Sequence, residues 1–267
     1  MTAALVEPRA LQARIDDFRI CDIRWSLTRP GEGRSIYREG HIPGAVYVDL
    51  DQDLAARGGF GRHPLPTVSE FASTLGRLGI GTHDAVVVYD DVGGTVAARM
   101  WWMLRSIGHE DVSLLDGGYQ AWVAAGLPTE TVDVEPPATR YEPRSDFTGV
   151  VRHDELEGRT IVDVRAHERY TGEYEPIDPK AGHIPGAINI PIAESLTDDG
   201  RFADRAALTA KFGSLGPDSV IACGSGVNAC HTAAAMTHAG MEMPAIYIGS
   251  FSDWSQRDLP VTVGDTP

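Results

Sequence analysis

The stretches EGHIPGAVYVDL (39–50) and AGHIPGAINIPI (181–192) share the six residues GHIPGA. The match extends upstream, where ICDIR (20–24) parallels IVDVR (161–165), and downstream, where DGGYQAW (116–122) parallels IGSFSDW (248–254). Because the spacing is kept over this whole length, each half of the chain is one structural unit and not part of a short-period repeat. The duplication predicts two tandem domains.

The domain boundary is predicted where composition changes. The segment VDVEPPATRYEPR (132–144) is rich in proline and charge and has no apolar periodicity, which is typical of an extended linker. We therefore predict an N-terminal domain at 1–131, a linker at 132–148 and a C-terminal domain at 149–267.

Short β-branched runs alternate with amphipathic stretches in both halves. In the first half, AVVVY (85–89) and VSLLD (112–116) predict strands on either side of a helix at 95–107. In the second half, SVIAC (219–223) predicts a strand and NACHTAAAMTHA (228–239) a helix. Strand, helix and strand in this order imply a parallel sheet with helices on both faces, so we expect an α/β fold in each half.

Composition excludes several classes of partner. The 267 residues include 23 Lys and Arg against 38 Asp and Glu, a net charge of −15, which disfavours nucleic acid and anionic membrane surfaces. No stretch of 18 apolar residues and no secretory signal is present, so we expect a cytoplasmic protein that does not enter a membrane. Three cysteines are too few and too odd in number for a disulfide framework.

The segment CGSGVNAC (223–230) lies between a predicted buried strand and a predicted helix. Open parallel sheets keep their ligand sites at such places. Gly224 and Gly226 permit the backbone to curl so that successive N–H groups point at one centre, and Asn228 is a favoured N-cap residue. The positive end of a helix favours the thiolate form of a cysteine. Cys223 is therefore the predicted nucleophile, and no metal or cofactor is predicted.

The other two cysteines are predicted to be packing residues. Cys21 aligns with Val162 in mid-strand, and Cys230 lies early in a helix. The first repeat carries Asp90 at the position opposite Cys223. Only the second repeat is therefore expected to carry chemistry.

A cysteine surrounded by N–H groups could also serve phosphate monoester hydrolysis. Tyrosine phosphatases place an arginine at the sixth position after the cysteine to bind phosphate oxygens, and this chain has Ala229 there. A cradle without a fixed cation suits a persulfide. A non-catalytic sulfur carrier, loaded by another protein, remains an alternative.

The duplicated GHIPGA, the linker, GSFSDW (249–254) and CGSGVNA (223–229) resemble the tandem-domain rhodaneses over essentially the whole chain. The resemblance implies two rhodanese-like domains, each with a five-stranded parallel sheet, and a catalytic C-terminal one. It implies transfer of sulfur from a small-molecule donor through a Cys223 persulfide to a thiol, cyanide or a thioredoxin-like acceptor.

The cysteine loop is similar to the CGSGVTA form of the 3-mercaptopyruvate members. Thiosulfate-preferring members commonly carry Arg and Lys directly after the cysteine, where this chain has Gly224 and Ser225. The resemblance thus favours 3-mercaptopyruvate as the donor and leaves thiosulfate as the alternative.

The resemblance also implies roles for individual residues. Ser225 and His41 would polarise the donor, whereas His183, in the other GHIPGA, is structural. Arg169 in HERYTG (167–172) would bind the donor's carboxylate, but the position of a second arginine is Ile177, with Lys180 close by. The other predicted substrate-binding residues belong to the cysteine loop: Gly224, Gly226, Val227, Asn228 and Ala229.

Overall fold

The computed structural model describes residues 3–267 and divides them into two compact units that are not contiguous in sequence. The first unit contains the described residues up to Ala55, Pro66–Thr148 and Thr197–Phe202. The second contains Ala56–Leu65, Gly149–Leu196 and Ala203–Pro267. A loop of the first repeat, residues 56–65, therefore belongs to the second unit. The limits of the linker at 132–148 stay a prediction.

The first unit is built on a five-stranded parallel sheet. Its strands are β1 (Leu5–Val6), β2 (Phe18–Asp22), β3 (Val46–Tyr47), β4 (Ala85–Tyr89) and β5 (Val112–Leu115). Its helices are α1 (Pro8–Gln12), α2 (Gly33–Glu39), α3 (Leu50–Asp53), α4 (Val68–Arg77), α5 (Ala98–Ser106) and α6 (Gly118–Ala124). The strand order is β1-β5-β4-β2-β3, and every pair is parallel.

The second unit repeats this topology. Its strands are β6 (Val150–Val151), β7 (Thr160–Asp163), β8 (Ile188–Asn189), β9 (Ser219–Ala222) and β10 (Ala245–Tyr247). Its helices are α7 (His167–Thr171), α8 (Arg205–Phe212), α9 (Val227–His238) and α10 (Ser250–Gln256). The parallel order β6-β10-β9-β7-β8 is that of the first unit, strand for strand. The predicted α/β fold with a parallel sheet in each half is confirmed.

The central strands are apolar because a parallel sheet covered by helices is buried on both faces. Four residues of β4 and all of β9 are buried. In the first unit Trp122 packs with Leu11 and Leu115, and in the second Phe251 packs with Val220. These cores fix the carboxyl ends of β4 and β9, the positions that carry Asp90 and Cys223.

In each unit, a buried ion pair contacts the first glycine of the GHIPGA motif. Arg24 binds Asp22 and donates from Nη2 to the carbonyl of Gly40 at 2.6 Å. In the second unit the corresponding arginine, two residues after Asp163, donates in the same way to the carbonyl of Gly182 at 2.7 Å. The charges are therefore paired as well as buried, as burial of an ion requires.

The two GHIPGA turns have the same geometry. Gly44 and Gly186 have φ values of +78° and +83°, which glycine adopts without strain. The N–H of Ala45 donates to the carbonyl of Ile42 at 3.0 Å, and Ala187 donates to Ile184 at the same distance. Both turns lead directly into an edge strand, β3 or β8. Among residues 3–267, no helix is both long and apolar enough to span a bilayer.

Candidate functional site

Cys223 directly follows β9, the central strand of the second unit, and precedes α9. Its side chain is 2 % exposed. The N–H of Gly226 donates to Sγ at 3.1 Å, so the loop does present a backbone donor to the sulfur. The predicted placement of the cysteine, between a buried strand and a helix start, is confirmed.

Ser250 fixes the backbone of Cys223. Its Oγ accepts the N–H of Cys223 at 3.0 Å and donates to the carbonyl of Tyr247 at 2.8 Å. The same Oγ lies 3.8 Å from Sγ, but its single hydrogen is better placed toward Tyr247. Ser250 thus holds the residue that carries the sulfur, and sequence reasoning did not single it out.

Ser250 has a strained backbone. Its φ of +54° is the only positive value at a non-glycine residue within 3–267, and the aligned residue of the first repeat is Gly118, with φ +58°. Left-handed conformations are costly for residues with a Cβ, and they persist where the surroundings demand them. A glycine would relieve the strain, but only serine supplies the hydroxyl that Cys223 and Tyr247 bind.

Gly226 is the N-cap residue of α9, and the prediction of Asn228 as N-cap is wrong. Gly226 has φ +77°, and a Cβ there would lie 2.2 Å from the carbonyl oxygen of Ile248. Asn228 lies inside the first turn of the helix, between Val227 and Ala229. The backbone at 226 lies so close to the backbone at Ile248 that only glycine fits. The first turn of α9 begins directly after this glycine.

His63 lies beside Ser225. Its Nδ1 is 2.9 Å from Ser225 Oγ, and the two residues are 5 % and 8 % exposed. His63 belongs to loop 56–65, which is tied to α10: the N–H groups of Gly61 and Arg62 donate to side chains of Gln256 and Ser252, each at 3.1 Å. A hydroxyl and an imidazole in hydrogen-bond contact can exchange a proton.

His41, which was predicted to polarise the donor together with Ser225, is a packing residue of the first unit. His41 is completely buried in the first unit, where Nδ1 lies 2.7 Å from the carbonyl oxygen of Tyr37 and the two rings stack at 3.7 Å. His183 makes the same contacts with Tyr170, at 2.8 Å and 3.8 Å. Both histidines are therefore repeated packing residues of the fold, as was predicted only for His183.

Arg169 lies in a cluster of ion pairs that was not visible in the sequence. It binds Glu175 at 2.8 Å and Asp178 at 2.9 Å, and Arg62 binds the other oxygen of Asp178. Arg165 connects Glu175 to Asp163. Three guanidinium groups thus face three carboxylates that are almost completely buried.

The environment shifts two of these carboxyl groups in opposite directions. Burial raises the pKa of Asp178 above its ordinary value, although Arg62 acts against that rise. Burial would also raise the pKa of Glu175, but bonds from Arg169 and from two backbone N–H groups outweigh it and hold the pKa below its ordinary value. Glu175 is therefore a charged anchor of Arg169 at neutral pH.

Lys180 is engaged elsewhere. Its Nζ donates to the carbonyl oxygens of Arg257 and Leu259 at 2.8 and 2.9 Å. Ile177 donates its N–H to Glu175 at 2.9 Å and has no cationic side chain to offer. Lys180 therefore holds the chain after α10 and does not replace a second arginine at 177.

Asp90 occupies the position of Cys223 in the first unit. Its carboxylate accepts four backbone N–H groups, from Val92, Gly94, Val96 and Ala97, at 2.7 to 2.9 Å. Because Asp90 binds Val96 and Ala97, these residues form a turn, and α5 begins at Ala98, later than the predicted position 95. The first repeat thus retains an anion-binding loop and fills it with its own carboxylate.

The remaining cysteines are packing residues, as predicted. Cys21 is completely buried in β2, and burial strongly raises the pKa of its thiol. Cys230 is completely buried in α9, where Sγ donates to the carbonyl of Gly226 at 3.1 Å. Among residues 3–267, no group of three His, Cys, Asp or Glu side chains is placed to hold a metal ion.

Comparison with known proteins identifies the family of the chain. The rhodanese-like domain family matches residues 7–125 and 151–257. Two relatives with provisional names are each 40 % identical to the chain: a 3-mercaptopyruvate sulfurtransferase of Pseudomonas aeruginosa, with 99 % of both chains covered, and the thiosulfate sulfurtransferase SseB of Mycobacterium tuberculosis, with 90 % of this chain and 88 % of that protein covered.

A solved structure gives the same result. The 3-mercaptopyruvate sulfurtransferase from Leishmania major superposes with a TM-score of 0.86 at 31 % identity, covering 95 % of this chain and 74 % of the other. Two repeated parallel sheets, a cysteine at the end of a central strand and two matched domains lead to one conclusion. The chain belongs to the rhodanese family and is a sulfurtransferase with two tandem rhodanese domains.

Proposed function

We propose that the chain takes sulfur from 3-mercaptopyruvate, holds it as a persulfide on Cys223 and passes it to an acceptor thiol. The observation that carries this proposal is the Ser225–His63 hydrogen bond of 2.9 Å, two residues from Cys223 in a loop that lacks cationic side chains. A ketone donor needs a proton donor at its carbonyl, and this pair supplies one.

In the first half-reaction, the Cys223 thiolate attacks the sulfur of mercaptopyruvate. An S–S bond forms, the C–S bond breaks, and the bonding pair passes to the carbon and its adjacent ketone as the enolate of pyruvate. Ser225 donates a proton to that enolate and is reprotonated through His63. Pyruvate leaves, and the sulfur stays on Cys223.

In the second half-reaction, an acceptor thiolate attacks the outer sulfur of the persulfide. The new S–S bond forms on the acceptor, the old one breaks, and Cys223 leaves as thiolate. The N–H of Gly226 stabilises the anionic sulfur at both stages. A small thiol, cyanide or a thioredoxin-like protein could act as acceptor. We also propose a cytoplasmic setting, where a reducing environment would keep the three cysteines as thiols.

The charge balance of the site favours a monoanion over the dianion thiosulfate. Gly224 and Ser225 contribute no charge to the loop. The three guanidinium groups around Arg169 are matched by three carboxylates, which leaves N–H donors but no excess positive charge. A second negative charge on the donor would therefore be poorly compensated.

The proposal is tested by comparing the two donors on one preparation. We expect kcat/KM for 3-mercaptopyruvate to exceed that for thiosulfate by at least about tenfold, with cyanide as the common acceptor. A preference for thiosulfate would overturn the choice of donor. Thiosulfate is the alternative donor because a relative provisionally named a thiosulfate sulfurtransferase is also 40 % identical to the chain. Persulfide uptake from a protein, without turnover of either small donor, would favour the carrier alternative.

The Ser225–His63 pair gives a second prediction. Ser225→Ala and His63→Ala should each lower kcat with mercaptopyruvate by about 100-fold, because general acid–base catalysis contributes at least that much. The double variant should be little worse than either single one, since the two groups act as a unit. Steady-state kinetics of the three variants measures the coupling, and additive losses would contradict it.

The matched control is His41→Gln. His41 is buried in the first unit and contacts Tyr37 and Glu130. We expect this variant to lose stability but to keep kcat within about threefold per folded molecule, because its imidazole lies outside the proton path. A loss equal to that of His63→Ala would restore His41 as the catalytic histidine.

A further inference from the structure

Arg62 and Arg169 point at one place beside Cys223. A Cβ built on Gly224 would lie 2.8 Å from Nη2 of Arg62 and 3.4 Å from Nη1 of Arg169. Two guanidinium groups from separate segments, loop 56–65 and α7, therefore reach the same point next to the residue that follows the nucleophile. Like charges approach so closely only where carboxylates compensate them.

Asp178 is the carboxylate that brings them together. One of its oxygens binds Arg62 Nη1, and the other binds Arg169 Nη2 at 2.9 Å. Its side chain is 1 % exposed, so the bridge is held inside the unit. Glu175 fixes Nε and Nη2 of Arg169 from behind, at 2.8 to 3.1 Å. The orientation of both guanidinium planes is thus set before any donor binds.

The bonds to Asp178 and Glu175 use only one side of each arginine. Within residues 3–267, Nη2 of Arg62 and Nη1 of Arg169 have no acceptor, and the two side chains are 22 % and 17 % exposed. Unused guanidinium N–H groups in a partly buried site are strong donors to an anion. Two of them at one point match the two oxygens of a carboxylate.

We propose that Arg62 is the second carboxylate-binding residue of the site, and that it acts together with Arg169 on the carboxylate of the α-keto acid donor. This inference rests on the proposed function. It accounts for Ile177: the cation absent from the segment before the second GHIPGA is supplied by loop 56–65 of the first repeat.

The same geometry assigns a role to Gly224. The two arginines reach this point because residue 224 has no side chain, and any Cβ there would force Arg62 to move. An arginine at this position, as in the loop of thiosulfate-preferring members, would put a third cation at the point where the donor's carboxylate is expected. Gly224 and Arg62 therefore define one specificity element.

The test compares two donors that differ only in the carboxylate. 3-Mercaptopyruvate carries it, and mercaptoacetone has the same ketone and thiol without it. Arg62→Met should lower kcat/KM for mercaptopyruvate by about 10- to 100-fold, the loss of a charge-assisted hydrogen bond, and change the value for mercaptoacetone by less than about threefold. Arg62→Lys, which keeps a cation for Asp178 but lacks the fork, should fall between.

Two further variants separate carboxylate binding from loop stability. Arg257→Gln removes a guanidinium that lies 4.1 Å over the ring of Phe60, in the same loop, but does not face Gly224. It should affect both donors equally. Gly224→Ala retains both arginines and occupies the point between them, so it should reproduce the selective loss for mercaptopyruvate seen in Arg62→Met.

A binding measurement makes the result independent of turnover. Calorimetry should detect binding of pyruvate to Cys223→Ser. The additional substitution Arg62→Met should raise the dissociation constant of pyruvate by about tenfold or more. Equal losses for both donors, or unchanged pyruvate binding, would overturn the role of Arg62. Failure of the wild-type protein to use mercaptopyruvate would instead contradict the proposed function, while the pyruvate titration would still decide on Arg62.

Discussion

Cys223→Ser should abolish sulfur transfer from mercaptopyruvate, thiosulfate and every other small donor, with a loss of at least about 10,000-fold in kcat. An alcohol is not ionised at neutral pH and does not form a stable O–S analogue of the persulfide. The substitution changes one atom of a side chain that is 2 % exposed, and the N–H of Gly226 keeps an acceptor. The loss should therefore be chemical, with an unchanged circular dichroism spectrum and melting temperature.

Mass spectrometry gives the direct measurement. Incubation with mercaptopyruvate should add the mass of one sulfur atom to the peptide containing Cys223, and a reducing thiol should remove it. The control is Cys230→Ser, which retains a hydrogen-bond donor toward the carbonyl of Gly226 and should retain most of the activity. Turnover by Cys223→Ser, or sulfur found on Cys230, would refute the assignment of the nucleophile.

The largest expected effect on stability belongs to Asp90→Ala in the first unit. Removal of the carboxylate leaves the N–H groups of Val92, Gly94, Val96 and Ala97 without their acceptor, and all of these bonds except that from Val92 are buried. Each unsatisfied buried donor costs about 1–3 kcal/mol. Allowing for relaxation of the loop, we expect the free energy of unfolding to fall by at least about 3 kcal/mol, a large part of the stability of a domain.

Tryptophan fluorescence during urea unfolding measures this loss. Four of the five tryptophans lie in the first unit and one in the second, so the signal reports mainly on the unit that contains Asp90. Asp91→Ala is the matched control, because its carboxylate accepts none of these four N–H groups, and it should change stability by less than about 1 kcal/mol. Equal effects of the two substitutions would show that the Asp90 loop is not held by its carboxylate.

The regular elements could be predicted from sequence because their signals are local. The run AVVVY coincides with β4, and the runs at 112–116 and 219–223 each contain a strand that ends one residue earlier than predicted. β-Branched residues favour strands, and strands of a buried parallel sheet consist of such apolar runs. The duplicated motif added the long-range information, since two copies of one frame require two similar sheets.

The parts of the site that were missed depend on contacts distant in sequence. His63 and Arg62 lie in a segment with no counterpart in the repeat comparison, and their partners Ser225 and Asp178 are more than a hundred positions away. The family resemblance assigned a role in the reaction to His41, whose contacts lie within its own unit. Ser250 was missed because a positive φ at serine contradicts the residue's own preference.

Loop 56–65 has a consequence for how this gene can change. The codons for Arg62 and His63 lie in the repeat that carries Asp90 in place of a cysteine, yet their products belong to the unit of Cys223. A crossover that exchanged only the second repeat would transfer Cys223, Ser225 and Asp178. It would leave behind His63, which contacts Ser225, and Arg62, which binds Asp178. We therefore expect substitutions at positions 62 and 63 to depend on the residues that the second repeat carries at 178 and 225.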